Sequence, residues 1–366
     1  MAVAVKINCY KLLCTVKEGR FMFVLSNLDF ELIKLIGWCK DISVNTLKKY
    51  NHTIFSDDRL KDIIYRGYIR LTKDRRSYRL THEGYELLHE NGLNFHEDKN
   101  PISAGRTLER RHMVADIIVM LYFAGIDVFT DDTDKLYSNS FLPAFALRRK
   151  YDKSENIVGA TRFAGIIKAE TKALIPYYIE SGNEKLFAGT ERSVFCAVGA
   201  LSNCNDDYEI IFIGNNLNLL YKSLEYKVKK RACNMAKAVD EFALPIKLAP
   251  ANQNGVFQLQ LIKTGNWKSK ILSVFRNTSS DNNFFDGMIN EEPVIIGLDF
   301  DIRKVKQAVR ESKNTILNII CFEFQTECYR GISENIRCLP VKEEVIAEIL
   351  DITHTEYKET FFVGKE

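Results

Sequence analysis

The sequence predicts a mixed α+β chain in which a small helical module closed by a β-hairpin precedes two α/β regions. Three observations predict it. Between Ser26 and Gly92 the apolar spacing is helical three times, switches to a period of two, and turns helical again. Further on, runs such as Ile166-Ile167 and Ile210-Ile211-Phe212-Ile213 have no polar face, as strands covered on both sides do. Finally, 366 residues at 46% apolar and 27% charged have the composition of an ordinary globular protein, long enough for two or three domains.

The elements follow in order. Ser26 caps a helix whose apolar positions Phe30, Ile33, Leu35, Ile36 and Trp38 run to about Asp41, and Ser43 caps a short second helix through Leu47 and Tyr50. Ser56, followed by Asp57 and Asp58, opens a third helix that places Leu60, Ile63 and Ile64 on one face and stops at Gly67. Residues 68–71 read as a strand, 73–76 as a charged turn and 77–80 as the returning strand. Thr81 caps a closing helix that stops at Gly92. This order is that of a winged helix-turn-helix, in which the third helix enters the major groove, and the string YIRLTKDRRSYRL is its wing. Residues 1–98 are therefore expected to form a winged-helix DNA-binding domain.

Charge supports that expectation locally. The chain carries 51 Lys plus Arg against 48 Asp plus Glu, a net charge of only +3, so composition alone announces no nucleic-acid binder. From Lys48 to Arg79, however, ten basic residues face four acidic ones, a net +6. Basic side chains that reach phosphates release counterions and give salt-dependent affinity without reading a base. The expected DNA contacts are Lys48, Lys49, Arg59, Lys61, Arg66, Lys73, Arg75, Arg76 and Arg79. Arg110 and Arg111, beside His112, would extend the phosphate path, with Lys229, Lys230 and Arg231 beyond them.

After a polar link at 94–101, a helix from Ser103 to Gly125 is basic at its start and apolar later. Strands at 126–130, 163–170 and 173–181, a helix from Thr190 to about Leu201 and a strand at 208–214 follow. A helix, three strands, a helix and a strand is the order of a restriction-endonuclease-like core, assigned to 101–248. A basic helix at 219–242 and a loop at 250–255 come next. A C-terminal α/β extension, 249–366, holds a strand at 294–300, a helix from Asp301, a strand at 316–324 and a helix from Val341 to Ile352.

That core's chemistry needs an Asp on one strand and an acidic residue two before a Lys on the next, so that carboxylates hold Mg²⁺ while the Lys orients water. Glu170-Thr171-Lys172 matches the second half, but Phe163-Ala164-Gly165 replaces the expected Pro-Asp, leaving Asp127 or Asp152 as substitutes. A nuclease would therefore draw on Asp127, Glu170, Lys172 and Glu180. Asp301 reads as a helix cap, with Asp299 beside it, and Tyr177-Tyr178 read as packing residues of a strand. Neither a phosphate-binding glycine loop nor a dinucleotide fingerprint occurs, which disfavours nucleotide chemistry. The nine cysteines form no C-x-x-C and six histidines add no metal spacing, so buried thiols in a reducing compartment and no metal are expected. The first residues lack an apolar signal core, and no apolar run reaches the roughly 20 residues of a membrane span.

With these residues laid out, the order over roughly residues 20 to 215 resembles the replication-relaxation family of plasmids and conjugative elements in Gram-positive bacteria. The resemblance is one of layout: the winged helix, the basic helix carrying Arg111 and His112, and the strand pair after Arg162. It implies a winged helix ahead of a nuclease-like core linked to plasmid replication or mobilisation. Ala164-Gly165 stands where that core would carry an Asp, while Glu180 in YYIES stands at the second acidic position, and this departure weakens the case for cleavage. The resemblance does not extend to the C-terminal third.

The sequence thus reads as a cytoplasmic DNA-binding protein of a mobile element, acting in replication, mobilisation or its regulation, and as a binder more than an enzyme. Double-stranded DNA is the expected partner, with a second copy of the chain and replication or conjugation proteins as further ones, and neither a membrane nor a cofactor. The alternatives are a Mg²⁺-dependent nuclease or nickase and a winged helix used for protein contact.

Overall fold

The computed structural model describes residues 25–50, 56–95, 97, 105–150, 162–180, 188–201, 208–225, 244–274, 284–313 and 315–351. Asp152, Lys229, Lys230, Arg231 and most of the expected basic helix after residue 225 lie outside them. Among the described residues, thirteen helices and twelve strands in three sheets make a mixed α+β architecture. Contacts divide the chain into two compact units: described residues 25–44 and 56–97 form one, and residues 45–50 with 105–351 form the other.

In the smaller unit, α1 (Asn27–Cys39) starts from a reciprocal cap: the Asp29 N–H donates to Ser26 Oγ at 3.2 Å and the Ser26 N–H to Asp29 Oδ2 at 2.9 Å. Its Leu32, Ile33, Leu35 and Ile36 are fully buried, each a gain of about 1.5–3 kcal/mol. The chain then forms β1 (Ile42–Ser43), α2 (Val44–Tyr50), α3 (Asp57–Tyr65), β2 (Ile69–Leu71), β3 (Ser77–Leu80) and α4 (His82–Glu90). Ser43, expected as the cap of the second helix, stands directly before α2 and also belongs to β1, where it pairs with Ser77 in a strand too short for its period to show in sequence. The three strands make an antiparallel sheet in the order β1-β3-β2. Gly84 lets α4 press on the hairpin, since a Cβ there would lie 2.2 Å from the Tyr68 carbonyl oxygen.

The larger unit follows α5 (Arg106–Phe123) with a five-stranded sheet built from β4 (Ser140–Pro143), β5 (Gly165–Lys168), β6 (Ala173–Ile179), β7 (Tyr208–Gly214) and β8 (Ile246–Pro250). They lie in sequence order, β4, β5 and β6 antiparallel and β6, β7 and β8 parallel. Three helices lie among these strands in sequence: α6 (Ala144–Lys150), α7 (Ala188–Gly199) and α8 (Leu217–Glu225). Every residue of β6 is buried, as its unbroken apolar run requires. Pro176 has no N–H for a ladder, and beyond the β5 pairing at Ala173 and Leu174 it takes part through its carbonyl alone, which accepts from the Ala164 N–H at 2.9 Å, next to an isolated bridge between Phe163 and Tyr177.

Then come α9 (Gln253–Lys263), α10 (Trp267–Val274), β9 (Gly287–Ile289), β10 (Glu292–Ile296), α11 (Ile302–Glu311), β11 (Leu317–Phe322), α12 (Thr326–Arg330), β12 (Ile336–Val341) and α13 (Glu343–Ile349). The second sheet runs β12-β11-β10-β9, parallel except for β9. Ile210, Phe212 and Leu248 of the first sheet share one apolar core with Ile295, Leu317 and Ile319 of the second. Residues 249–351 are thus continuous with the sheet before them. The segment 126–130 makes only an isolated bridge at Asp127, and the loop expected at 250–255 is a tight junction between β8 and α9. There the Asn252 side chain caps α9 through the N–H groups of Asn254 and Gly255. No described helix is long and apolar enough to cross a membrane.

Candidate nucleic-acid interface

The hairpin between β2 and β3 is held by its own polar groups. Thr72 N–H donates to the Ser77 carbonyl and Arg75 N–H to the Thr72 carbonyl, both at 2.8 Å, and Arg75 turns the chain with φ of 55°. The Asp74 carboxylate accepts from Thr72 Oγ1 at 2.6 Å and from the Arg76 N–H at 3.3 Å, and these bonds hold its pKa below the usual carboxylate value. Around this single acid stand exposed Arg70, Lys73, Arg75 and Arg76. Arg70, Lys73 and Arg75 make no ion pair among the described residues, and the Arg76 contact to Asp74, 3.9 Å long, is loose.

Several basic residues read as DNA contacts also pair with groups of the protein itself. Arg79, opposite Arg70 across the hairpin, pairs at 2.6 Å with fully buried Asp41, which offsets the repulsion between the two arginines. Arg59 reaches back to Ser26 Oγ at 2.9 Å and to Asp29, and Arg66 pairs with Asp62 at 2.7 Å one turn earlier. Lys49 pairs with Asp116 of α5 and donates to Asn215 Oδ1 at 2.8 Å. The same end of α2 is fixed by Thr46, which donates to the Asp116 carboxylate, and by Tyr50, whose hydroxyl donates to the Asp116 carbonyl at 3.1 Å. That is why residues 45–50 group with the larger unit. Sequence distance hid these pairs: Asp41 and Asp116 lie 38 and 67 residues from their partners.

Lys48 and Lys61 are exposed, Lys61 to 76% and 3.3 Å from Asp58. The open face of α3 is nevertheless more acidic than basic, with Asp57, Asp58 and Asp62 around Lys61 and with Tyr65 exposed to 84%. A shallow depression of about 660 Å³ runs along it, lined by Asp29, Ser56, Asp58, Arg59, Lys61, Asp62 and Tyr65.

In the larger unit, the residues read as nuclease groups are dispersed. Asp127 accepts from the Phe129 N–H at 2.9 Å and from the Tyr137 hydroxyl, and that bond pushes the phenol up to about 12. Glu170 accepts from the Gly265 N–H at 3.0 Å, and Lys172 pairs with Glu209 at 2.8 Å. Glu180 stands beyond the opposite end of β6, a strand of seven residues and so roughly 20 Å away. No group of three or more His, Cys, Asp or Glu among the described residues is placed to hold a metal.

Lys172 belongs instead to a charge cluster that the sequence reading missed. The loop Asp299–Asp301 lies along the free edge of β8, where Leu248 N–H donates to the Phe300 carbonyl at 3.2 Å. This sets Asp299 against fully buried Lys247, at 2.5 Å, and against Lys268 at 3.2 Å, while Glu209 lies 3.3 Å from Lys247. Burial alone pushes the Lys247 ammonium down, but Asp299 and Glu209 outweigh it and hold it above the usual lysine value. Burial likewise raises Asp299, and Lys247 with Lys268 overcomes it and holds that carboxyl well below the usual range. Asp301 caps α11 through the Arg303 and Lys304 N–H groups, both at 3.1 Å. Lys247 gave no signal in sequence, because its partner Asp299 lies 52 residues further along the chain.

Tyr177 and Tyr178 point to opposite faces of β6, as neighbours on a strand must. Tyr177 is fully buried and donates to Glu191 Oε2 at 2.5 Å. Tyr178 is 5% exposed, with the Arg162 guanidinium carbon 5.6 Å and that of Arg110 6.0 Å from its ring centroid. Arg111, its neighbour on α5, is half-buried. The described cysteines are free thiols, and burial pushes Cys328 up to about 12. No family model, no curated protein and no solved structure matches the chain.

Proposed function

We propose that the chain binds double-stranded DNA through its smaller unit, read as a winged helix-turn-helix, and serves replication, mobilisation or their regulation on a plasmid or conjugative element. The observation that carries this reading is the hairpin tip, where Arg70, Lys73, Arg75 and Arg76 are exposed around one acid that is itself engaged in holding the turn. Support also comes from the element order and from the antiparallel sheet β1-β3-β2. Because the open face of α3 is acidic, phosphate contacts from the wing carry more of the affinity than base contacts from the helix.

The order α5, β4, α6, β5, β6, α7 and β7, in which three strands precede α7 and β7 with α6 inserted after the first, supports reading the second unit as a restriction-endonuclease-like core, and β6 holds no charged residue. We read that core as a partner-docking or positioning domain in a cytoplasmic protein, with a second copy of the chain or replication proteins as its partners. A second reading, protein contact through α3, is favoured by one observation: Tyr65 is exposed to 84% among Asp57, Asp58 and Asp62.

Fluorescence anisotropy on a labelled duplex tests the proposal. Replacing Lys73, Arg75 and Arg76 with Ala removes up to three phosphate contacts, so the slope of log K against log salt falls by about 2 to 3. An unchanged slope, or no binding by the wild-type chain at low salt, overturns it. Nicking of supercoiled plasmid with added Mg²⁺, lost in Glu170→Ala, would establish the nuclease alternative instead.

A further inference from the structure

We infer that the cavity of about 170 Å³ beyond the carboxyl ends of β7 and β8 binds a vicinal diol carried on a sugar ring. The backbone makes the place. β7 and β8 are parallel with Gly214 opposite Pro250, and two residues beyond each of these an asparagine, Asn216 or Asn252, caps the next helix. The two caps thus follow neighbouring strands from the same level. Phe324 and Glu327, which come after the carboxyl end of β11, line the cavity from the second sheet. Open α/β sheets take their ligands in crevices beyond the carboxyl ends of their strands.

Five asparagines, Asn215, Asn216, Asn218, Asn252 and Asn254, line the cavity, and three of their oxygens are already used. Asn216 Oδ1 accepts from the Asn218 N–H at 2.8 Å, Asn252 Oδ1 from the Asn254 N–H at 3.0 Å, and Asn215 Oδ1 from Lys49 Nζ at 2.8 Å. An amide whose oxygen is taken presents its NH₂ group, and none of these three NH₂ groups has an acceptor among the described residues. The charged group in the lining is the exposed Glu327 carboxylate, which makes no hydrogen bond or ion pair among the described residues. Lys49 stands outside the lining and is paired with Asp116. A phosphate there would meet a like charge and no lining cation. Hydroxyls fit instead, because each accepts from an amide and donates to the carboxylate, and two adjacent hydroxyls match the two oxygens of Glu327. Phe324, stacked on Phe322 with ring centroids 5.5 Å apart, adds a fixed apolar surface for the C–H face of a ring. The volume is below the roughly 300–1,000 Å³ of pockets that hold drug-sized ligands, which suits one sugar ring and no polymer. The diol comes either from a free monosaccharide or from the ribose of a nucleoside. The site lies within the larger unit and stands whether or not the wing binds DNA.

The test is saturation-transfer NMR and calorimetric titration of the full chain with ribose, adenosine and their 2-deoxy and 2′-deoxy forms. Ribose or adenosine should bind saturably, and the deoxy form, which lacks one hydroxyl of the pair, should bind about tenfold or more weakly. Glu327→Gln keeps the shape and removes the charge, and should weaken binding about tenfold. The double variant Asn218→Ala with Asn254→Ala, whose side chains make no hydrogen bond among the described residues, should do the same at an unchanged melting temperature. Ribose binding as tightly as adenosine identifies a free sugar as the source, and adenosine binding without ribose identifies a nucleoside. The inference falls if neither binds below about 10 mM, if the deoxy form binds as tightly, or if inorganic phosphate displaces the bound ligand. It falls equally if Glu327→Gln binds like wild type while its circular dichroism is unchanged.

Discussion

Lys247 offers the sharpest test of how the larger unit is held together. Lys247→Met removes the ammonium that lies 2.5 Å from Asp299 and 3.3 Å from Glu209. Asp299 keeps Lys268 at 3.2 Å and Glu209 keeps Lys172 at 2.8 Å, but Asp299 Oδ1 is already buried without a hydrogen bond among the described residues. Breaking one partner of a buried pair costs about 3–5 kcal/mol, and the remaining lysines place this loss near the lower end, about 3 kcal/mol. In a unit of this size that lowers the melting temperature by about 6–12 °C. The double variant Lys247→Met with Asp299→Leu replaces the pair with apolar groups and should recover most of the loss. Trp267 is buried in this unit and Trp38 in the other, so a Trp38→Phe background makes tryptophan fluorescence in urea a reporter of the larger unit alone. Acid sharpens the prediction. Asp299 is held below its unfolded value, so its stabilisation is present above about pH 4 and is lost as pH falls below that. In Lys247→Met burial dominates and raises the same carboxyl, so stability should rise as pH drops from neutral toward 5. A single-variant cost under about 1 kcal/mol, or a double variant no better than the single, refutes the reasoning.

Other outcomes follow from the same structure. Arg79→Met should cost about 2–4 kcal/mol in urea denaturation, because it removes the cation paired at 2.6 Å with the buried Asp41 carboxylate, whereas Arg75→Met at the exposed tip should stay within about 0.5 kcal/mol. Gly255→Ala should destabilise the larger unit by about 3 kcal/mol or more, since its Cβ would lie 1.8 Å from the Pro250 carbonyl oxygen, and calorimetric melting checks it. Glu343 is pushed up to about 7 by burial and by Glu344, so its stabilising contribution is full below its unfolded value near pH 4.5 and is lost as pH rises through 7. Glu343→Gln should remove that part of the pH dependence, read as melting temperature between pH 5 and 8.

The wing and α1 were legible because their causes are local. Ser26, Ser56 and Thr81 cap helices through N–H groups three residues on, and alternation in residues 69–80 forms a hairpin whose turn bonds are all within six residues. The short strand β1, the junction at Asn252 and the helix α9 were not legible, because two-residue pairing and a helix buried from Gly255 to Ile262 leave no period to read, and α10 buries only Trp267 and Ile271.

For the candidate site, the sequence determined the local excess of positive charge between Lys48 and Arg79, which is a matter of composition. Which of those charges face solvent was decided by tertiary structure alone, since Asp41, Asp29 and Asp116 arrive from distant segments to engage Arg79, Arg59 and Lys49. The same holds for Lys247 with Asp299 and for the arginines around Tyr178. Local propensity acts over three or four residues, whereas the pairing of buried charges depends on which strand edges and helix faces meet, and only the folded chain sets that.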